Sequence, residues 1–390
     1  MLKVNHIEQR LLELTVAFTV LSFSTNNTVQ RVSNLLMLFF WGLSFFFLLK
    51  QRYIRIGNYA RIMIVFYIFW YVFTVILFWV GEYRSTGLGV VTFLPYCIIF
   101  CVIGNNMWLK EGVSVEKLCY AVVIGEIGLL LTLVPMVPTL RTHFYQFGAK
   151  NQMGQILGVG ILVEVLTISR YTRSLVVKYL MYLLGAATFL MLTIIRSRTP
   201  IASVAVVYLI DFVLKKNKTQ KDYLYMGVIV LITVIAVYLF GGMAFLGSMF
   251  TNDMHSTERD FNALTSGRGD LYIQSFQEFL QSPVYGLGAY AYVDNFVINA
   301  MRCGGSVLLL TLVPIAYGTL FNNIIKSGRL LSQKGLNRGT EILFVALRHL
   351  SIFYFCVSLM EGYPPFGPKT SVFMLWLLSG MAETEVRNRQ

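Results

Sequence analysis

The chain has 390 residues, of which 56% are hydrophobic and only 13% charged. A water-soluble fold cannot bury so much apolar surface, so the composition excludes a soluble globular enzyme and indicates a polytopic membrane protein. The formal net charge of +13 is compatible with nucleic-acid binding, but the sequence contains no basic stripe or RNA-binding signature. No nucleic-acid partner is therefore expected.

Apolar runs recur from Leu11 to Met381, and each is close to the length that crosses about 30 Å of hydrocarbon. They predict an all-α protein of about twelve transmembrane helices, folded as a single integral membrane domain over residues 1–390. The expected spans are 11–25, 32–49, 62–80, 88–108, 118–136, 152–169, 179–195, 200–214, 222–247, 303–324, 342–360 and 370–382.

Lysine and arginine residues alternate between dense and sparse loops along the chain. Because cationic loops stay in the cytoplasm, this alternation predicts that both termini are cytoplasmic. Fixed cations on the other side predict a site for an anionic, lipid-linked substrate. The outward-facing basic residues are Arg31, Arg84, Arg141, Lys150, Arg196, Arg198, Arg259, Arg268, Arg302 and Lys369.

One outward loop is long, at about 246–302. Within it, Thr265-Ser266 is predicted to cap an amphipathic helix over about 269–281, which Pro283 ends. Aromatic and apolar side chains fall on one face of this helix, so it is expected to lie in the plane of the interface. A simple loop anchor would show the same pattern.

The segment Ile195–Pro200 joins an outward-running span to an inward-running one. Thr199 is predicted to cap the next helix and Pro200 to take its first position. Anions bind at such helix N-termini, and Arg198 adds a planar fork that matches phosphate oxygens. In a helix, Arg196 would lie about 200° from Arg198. Contact with lipid headgroups suits Arg196 better than Arg198, although both are substrate-site candidates.

Two later segments carry further candidates. Arg268 lies between glycines at the start of the interfacial helix, where the backbone can approach an anionic ligand. Asp294 and Asn295 precede the tenth span. An outward carboxylate beside an amide can deprotonate a sugar hydroxyl, but both residue types are also ordinary helix caps. Local sequence favours neither interpretation.

Glu361 is a second candidate base on an outer loop, and the neighbouring Tyr363 can stack on a sugar. Glu126 lies deep in the fifth span, where a carboxylate is costly unless paired, so we interpret it as structural or neutral. The five cysteines show no metal-binding spacing, and neither a metal nor another cofactor is expected.

Three short motifs occur in order between about Phe147 and Tyr317. They are a Lys-Asn-x-x-Gly opening of a span, a Ser-Arg-Thr element, and a Gly-Arg pair followed by Pro-x-x-Gly-x-Gly. In this order and topology they resemble the O-antigen polymerase and O-antigen ligase superfamily, which includes Wzy-like polysaccharide polymerases. The motifs consist of Lys150-Asn151 with Gly154, Ser197-Arg198-Thr199, Gly267-Arg268, and Pro283 with Gly286 and Gly288.

The resemblance implies a GT-C-like glycosyltransferase in the bacterial inner membrane, with its active site facing the periplasm. A glycan would leave undecaprenyl pyrophosphate with inversion, independently of a metal, for a new undecaprenyl-pyrophosphate-linked repeat unit. Arg198 and Arg268 would stabilise the departing diphosphate, and Asp294 would orient or deprotonate the acceptor. The substrate-binding candidates are Lys150, Asn151, Arg196, Asn295, Arg302, Glu361 and Tyr363.

The implied partners are lipid-linked oligosaccharides, the bilayer, and the flippase and chain-length regulator of the same pathway. Ligases of this superfamily place a His-Asn pair where this chain has Asp294-Asn295. This departure favours a polymerase over a ligase that transfers glycan to lipid A-core. His143 and His255 do not match the motif position. A lipid-linked oligosaccharide transporter is the second alternative, but Glu126 stands nearly alone at membrane depth.

Overall fold

A computed structural model describes residues 6–51, 53–83, 88–110, 113–140, 150–214, 227, 268–288, 292–333 and 335–389. Within these ranges the chain is helical and contains no strand. The helices are α1 (His6–Leu21), α2 (Asn27–Leu49), α3 (Asn58–Trp79), α4 (Leu94–Trp108), α5 (Val115–Leu133), α6 (Val137–Leu140), α7 (Lys150–Tyr171), α8 (Leu175–Ile194), α9 (Arg198–Leu214), α10 (Arg268–Gln281), α11 (Phe296–Leu331), α12 (Arg338–Ser358) and α13 (Phe373–Arg389).

The prediction of an all-α polytopic membrane protein is confirmed. Each predicted span coincides with a helix, except 222–247, which lies outside the described residues. Eight helical segments of the described ranges are long and apolar enough to cross a membrane. The helices at three other predicted spans, α1, α9 and α13, have 16, 17 and 17 residues, which is at or below the usual spanning length.

Large apolar side chains are exposed around the periphery of the bundle. Leu35 on α2, Val65 on α3 and Leu183 on α8 are 69%, 68% and 69% exposed. Contiguous apolar surface of this kind is unstable in water but is the expected covering of a helix that faces lipid. The hydrophobic periphery therefore agrees with the membrane class read from composition.

The centre of the bundle is formed by α4 and α13, which pack closely along their lengths. A Cβ at Gly104 would lie 2.1 Å from the Leu377 carbonyl oxygen, and one at Gly380 would lie 2.1 Å from the Cys101 carbonyl oxygen. Small residues let two helix backbones approach, which gains van der Waals contact where lipid supplies no hydrophobic drive. This glycine contact fixes α13 in the core.

Polar contacts join α7, α9 and α12 within the bundle. The Asp211 carboxylate on α9 accepts hydrogen bonds from Arg348 at 2.8 Å and lies 3.0 Å from His349 Nε2. Arg170 approaches the same oxygen at 3.6 Å. Because its cations are close, Asp211 is tolerated among apolar helices, as a lone carboxylate would not be.

Candidate active site

The turn between α8 and α9 packs against the first turns of α7. A Cβ at Gly154 would lie 2.0 Å from Ser197 Oγ and 3.0 Å from Pro200 Cγ, so glycine permits this approach. The Ser197 hydroxyl donates to the Lys150 carbonyl at 3.5 Å. The Lys-Asn-x-x-Gly and Ser-Arg-Thr motifs therefore fit together, which places Lys150 and Arg198 at one end of the bundle.

The start of α9 differs from the prediction. The helix begins at Arg198 rather than at Pro200, and the Ser197 carbonyl accepts from the Ile201 N–H at 3.4 Å. Pro200 sits in the first turn, where its missing N–H removes no helical hydrogen bond. Thr199 is thus inside the helix instead of capping it, and Arg198 is at the N-terminus itself.

Arg196 has a left-handed backbone, with φ at 56°. Its N–H and that of Ser197 turn back to carbonyls of α8 at 3.1 and 3.2 Å, in the pattern of a Schellman motif. The helical angle that separated Arg196 from Arg198 in the sequence analysis therefore does not apply. Both guanidinium groups lie within electrostatic range of Lys150.

The segment 283–288 packs into a break in α11. Gly305 interrupts this helix with φ at 59°, and the Arg302 carbonyl accepts a hydrogen bond from the Leu287 N–H at 2.8 Å. A Cβ at Gly286 would lie 2.6 Å from the same carbonyl oxygen. The Pro-x-x-Gly-x-Gly stretch thus supplies a hydrogen-bond donor to a carbonyl at the break. It attaches the segment that follows α10 to helix α11.

Arg302 was predicted to grip phosphate or sugar. The structure places its guanidinium in an ion pair with Glu278 of α10. The hydrogen bond from Arg302 lowers the pKa of Glu278, which keeps that carboxylate ionised. Arg302 is thus engaged by a residue that is not one of the predicted site residues. Its contact links α10 to α11.

Arg268, the first residue of α10, donates to the Asp294 carboxylate at 3.0 Å. The two side chains are 27% and 31% exposed. The other Asp294 oxygen accepts from the Tyr292 hydroxyl at 2.9 Å, and the Tyr272 hydroxyl donates to the Asp294 carbonyl. A partly exposed ion pair contributes about 1 kcal/mol or less, so an incoming anion can replace Asp294 on Arg268 cheaply.

Asn295 caps α11. Its Oδ1 accepts from the Ile298 N–H at 3.1 Å, and its Nδ2 donates to the Leu359 carbonyl at 2.8 Å. The sequence left two interpretations open for Asp294 and Asn295, a catalytic pair or a helix cap, and Asn295 is a helix cap. Asp294 instead faces the charged groups around it.

The loop that carries Glu361 is tied to the Asp294 segment by Asn299, which is 1% exposed. Its Oδ1 accepts from the Val293 N–H at 3.1 Å, and its Nδ2 donates to the Gly362 carbonyl at 2.8 Å. Sequence reasoning missed Asn299 and its two bridging hydrogen bonds. The available signal was its position one turn after the Asn295 cap, but its partners come from two distant segments.

Glu361 is only 5% exposed. Burial raises its pKa to about 7, and the nearby Asp294 charge adds to that shift. Arg268, a hydrogen bond from Asn151, and Lys150 act in the opposite direction. A carboxyl group with a pKa near neutrality is poised to take up a proton and release it again.

Five charged residues thus lie together, and we call them the rim cluster. Its cations repel one another: Arg198 and Arg268 both act on Lys150, and Arg268 acts on Arg198. Three gathered cations beside two carboxylates form a site that a multiply charged anion would stabilise. The rim cluster consists of Lys150, Arg198, Arg268, Asp294 and Glu361.

Aromatic rings border the rim cluster. The rings of Tyr292 and Tyr363 stack with centroids 4.7 Å apart, and Phe93 packs edge-on against Tyr363 at 5.2 Å. The Gly362 N–H lies 3.4 Å from the Tyr292 hydroxyl. Tyr292, which the sequence analysis did not single out, therefore connects Tyr363 to Asp294.

Several predicted features lie outside the described residues: Arg84, Arg141, Arg259, His143, His255 and the cap Thr265-Ser266. In the described ranges, no group of three or more His, Cys, Asp or Glu side chains could hold a metal ion. His349, which is described, is engaged with Asp211 and not with the rim cluster.

Glu126 has a second buried carboxyl group beside it, in contrast to the expectation that it stands nearly alone at membrane depth. It is fully buried beside Glu164, which lies in a π-helical stretch of α7, Leu162–Ile168. A Cβ at Gly160 would lie 1.8 Å from Glu126 Oε2. Among the described residues, no ion pair involves either carboxyl group. We call these two residues the buried acid pair.

Residues 180–305 match the family model for O-antigen ligase. The predicted resemblance to the O-antigen polymerase and ligase superfamily is thereby confirmed for this part of the chain, which includes Arg196, Arg198, Arg268, Asp294 and Arg302. No curated protein matches the chain. The match indicates a function of the O-antigen ligase or polymerase type and a glycosyltransferase-like enzyme in a membrane.

Proposed function

We propose that the protein is a polysaccharide polymerase of the O-antigen type. It would transfer a growing glycan from undecaprenyl pyrophosphate to an undecaprenyl-pyrophosphate-linked repeat unit. The observation that carries the proposal is the rim cluster, in which three cations from separate helices lie together and two of them, Lys150 and Arg268, act on a buried carboxyl group with a pKa near 7. Diphosphate needs the cations, and the attacking hydroxyl needs a proton acceptor.

The proposed transfer is an inverting displacement. The acceptor hydroxyl attacks the anomeric carbon of the donor while the bond between that carbon and the diphosphate oxygen breaks. The bonding electrons leave with the diphosphate, and Lys150, Arg198 and Arg268 stabilise its charge. Fixed cations aimed at a developing charge lower the barrier because they need no reorganisation during the reaction.

We assign the proton of the acceptor hydroxyl to Glu361 rather than to Asp294. Glu361 is buried and its pKa of about 7 suits proton uptake at neutral pH. Asp294 is held by Arg268 and Tyr292, so its role in this scheme is to position Arg268 until the diphosphate arrives. Asn151, which hydrogen bonds to Glu361, orients the base.

An O-antigen ligase is the second candidate, because the matching family model carries that description. The ligase would use the same donor chemistry with lipid A-core as the acceptor. Asp294 stands where the superfamily's ligases have histidine, which supports the polymerase. We further propose a GT-C-like arrangement in the bacterial inner membrane, with cytoplasmic termini, a periplasmic rim cluster, and the flippase and chain-length regulator as partners.

The decisive experiment supplies the purified full chain with undecaprenyl-pyrophosphate-linked repeat units and no nucleotide sugar. A polymerase is expected to form a ladder of products, with or without EDTA. A product that forms only when lipid A-core is added would establish the ligase instead. If no glycosidic bond forms but labelled lipid-linked repeat unit crosses the membrane of vesicles that contain the protein, the result would favour the transporter.

Arg198→Ala and Arg268→Ala should each lower the rate by about 100-fold or more, the usual effect of removing a group that stabilises transition-state charge. Arg338→Ala is a matched control, because Arg338 pairs with Glu116 at 2.7 Å in a comparably exposed ion pair on other helices. Wild-type ladders from the Arg198 and Arg268 variants would refute the proposed role of the rim cluster.

A further inference from the structure

A cavity of about 520 Å³ lies at the end of the bundle opposite the rim cluster. The start of α3, the end of α4 and the C-terminal parts of α11 and α13 form its walls. Helix α11 starts beside Asp294 and reaches the cavity at Lys326. From the break at Gly305 to Lys326 the helix alone runs for roughly 30 Å, so the cavity is distinct from the candidate active site.

Four cations from three parts of the chain line this cavity: Arg55 and Arg61 at the start of α3, Lys326 on α11 and Arg387 on α13. The carboxylate in its lining, Glu383, accepts a hydrogen bond from the Asn58 N–H at the start of α3. Across the described ranges, no ion pair involves any of the four cations. The cavity therefore holds an excess of positive charge.

The backbone at Arg55 is fixed by a buried side chain, whereas the Arg61, Lys326 and Arg387 side chains are exposed. Asn106, which is 1% exposed, fixes the backbone of Arg55 from both sides: it accepts from the Arg55 N–H at 2.8 Å and donates to the Arg55 carbonyl at 2.7 Å. Burial and repulsion by Arg387 both lower the pKa of Arg55, and the Glu383 carboxylate offsets only part of this effect. An anion between the two guanidinium groups would relieve that repulsion.

Neutral hydrogen-bonding groups complete the lining. Asn105, Asn322 and the Tyr59 hydroxyl border the cavity, and the Asn322 amide donates to Tyr59. Retention of basic loops in the cytoplasm explains why such residues gather at one end of a bundle, but it does not require them to line a concave space together with amide groups. Guanidinium forks with amide donors are the combination that binds phosphate oxygens.

We propose that this cavity binds a phosphate-bearing anion, either the headgroup of an anionic lipid or a soluble phosphate. Its volume lies within the range of small-molecule sites. Arg55 and Arg387 would contact the phosphate oxygens from two sides, and Lys326 would add a point charge. The proposal does not depend on the chemistry at the rim cluster.

The test uses the purified full chain in detergent. Native mass spectrometry would compare how much dioleoylphosphatidylglycerol and how much dioleoylphosphatidylcholine the protein retains. In a second measurement, thermal unfolding would be followed with and without inorganic pyrophosphate. The Arg55→Gln/Arg387→Gln variant should weaken binding of the retained anion by about 10-fold or more, since it removes two guanidinium groups that would donate charged hydrogen bonds to it. Lys326→Gln, a milder exposed change, should weaken it less.

Lys117→Gln/Arg329→Gln is the matched control. It removes the same charge from exposed positions at the same end of the bundle, outside the cavity, and should bind like the wild type. Selective phosphatidylglycerol retention would identify a lipid, and stabilisation by pyrophosphate a soluble ligand. Equal losses in the cavity and control variants, or wild-type binding in both cavity variants, would overturn the proposal.

Discussion

Carboxyl groups occur in two contrasting settings in this protein. At the rim cluster, Asp294 and Glu361 lie beside Lys150, Arg198 and Arg268. Inside the bundle, no ion pair among the described residues involves either member of the buried acid pair. Where cations lie beside the acids, an anionic substrate can take the place of a carboxylate on the cations. Two buried acids with no cation beside them cannot both be ionised. The same residue type therefore supports chemistry in one place and packing in the other.

The largest expected effect comes from Glu361→Gln. If Glu361 takes the proton of the acceptor, this variant should lose about 10²–10⁴ in transfer rate, the range of general-base catalysis. In wild type the rate should rise as pH increases through about 7, because the ionised form is the base. Initial rates from pH 5.5 to 8.5 test this. An unchanged profile in Glu361→Gln would return the role of base to Asp294.

The stability of the fold should respond to pH in the opposite direction. The pKa of Glu361 rises from 4.5 to about 7 on folding, so between these values the folded state binds a proton that the unfolded chain has lost. Stability should therefore fall by up to about 3 kcal/mol as pH increases through this window. Thermal unfolding of Glu361→Gln should lack this component, whereas Asp294→Asn should keep the larger part of it, which burial causes, and lose the part due to the Asp294 charge.

A change at the buried acid pair tests the other setting. Gly160→Ala places a methyl group against Glu126 Oε2 and should destabilise the fold by roughly 1–3 kcal/mol. Adding Glu126→Ala should recover much of that loss, because it vacates the space, and thermal unfolding of both variants measures the coupling. Independent, additive losses would show that the two residues do not meet. Glu126→Gln should retain transfer activity.

The smallest expected effect is at Arg196. Glycine is the ordinary residue at a left-handed helix end, so Arg196→Gly should stabilise the fold by up to about 1 kcal/mol. Arg196→Ala removes the same charge without relieving the backbone and should not stabilise. Midpoints of thermal unfolding separate the two variants. Reduced transfer in both would indicate that the guanidinium, held in a strained conformation, contacts substrate.

The amino-acid sequence by itself determined the helical segments, because hydropathy, caps and helix-breaking residues act within a few residues of each other. It also located motifs whose glycines are required sterically. A side chain at Gly154 would clash with Ser197, and one at Gly286 would clash with the α11 backbone. Each of these contacts requires glycine at one position, so the requirement is visible as a glycine at a fixed spacing within a short motif.

Only the tertiary structure decided which charges meet. Arg302 pairs with Glu278, Glu126 lies against Glu164, and Glu361 becomes buried beside Asp294. Burial and pairing depend on which helix faces follow one another across the bundle, and distant segments set those faces. Hydropathy reports whether a segment enters the membrane, but not which neighbour its polar groups will find there.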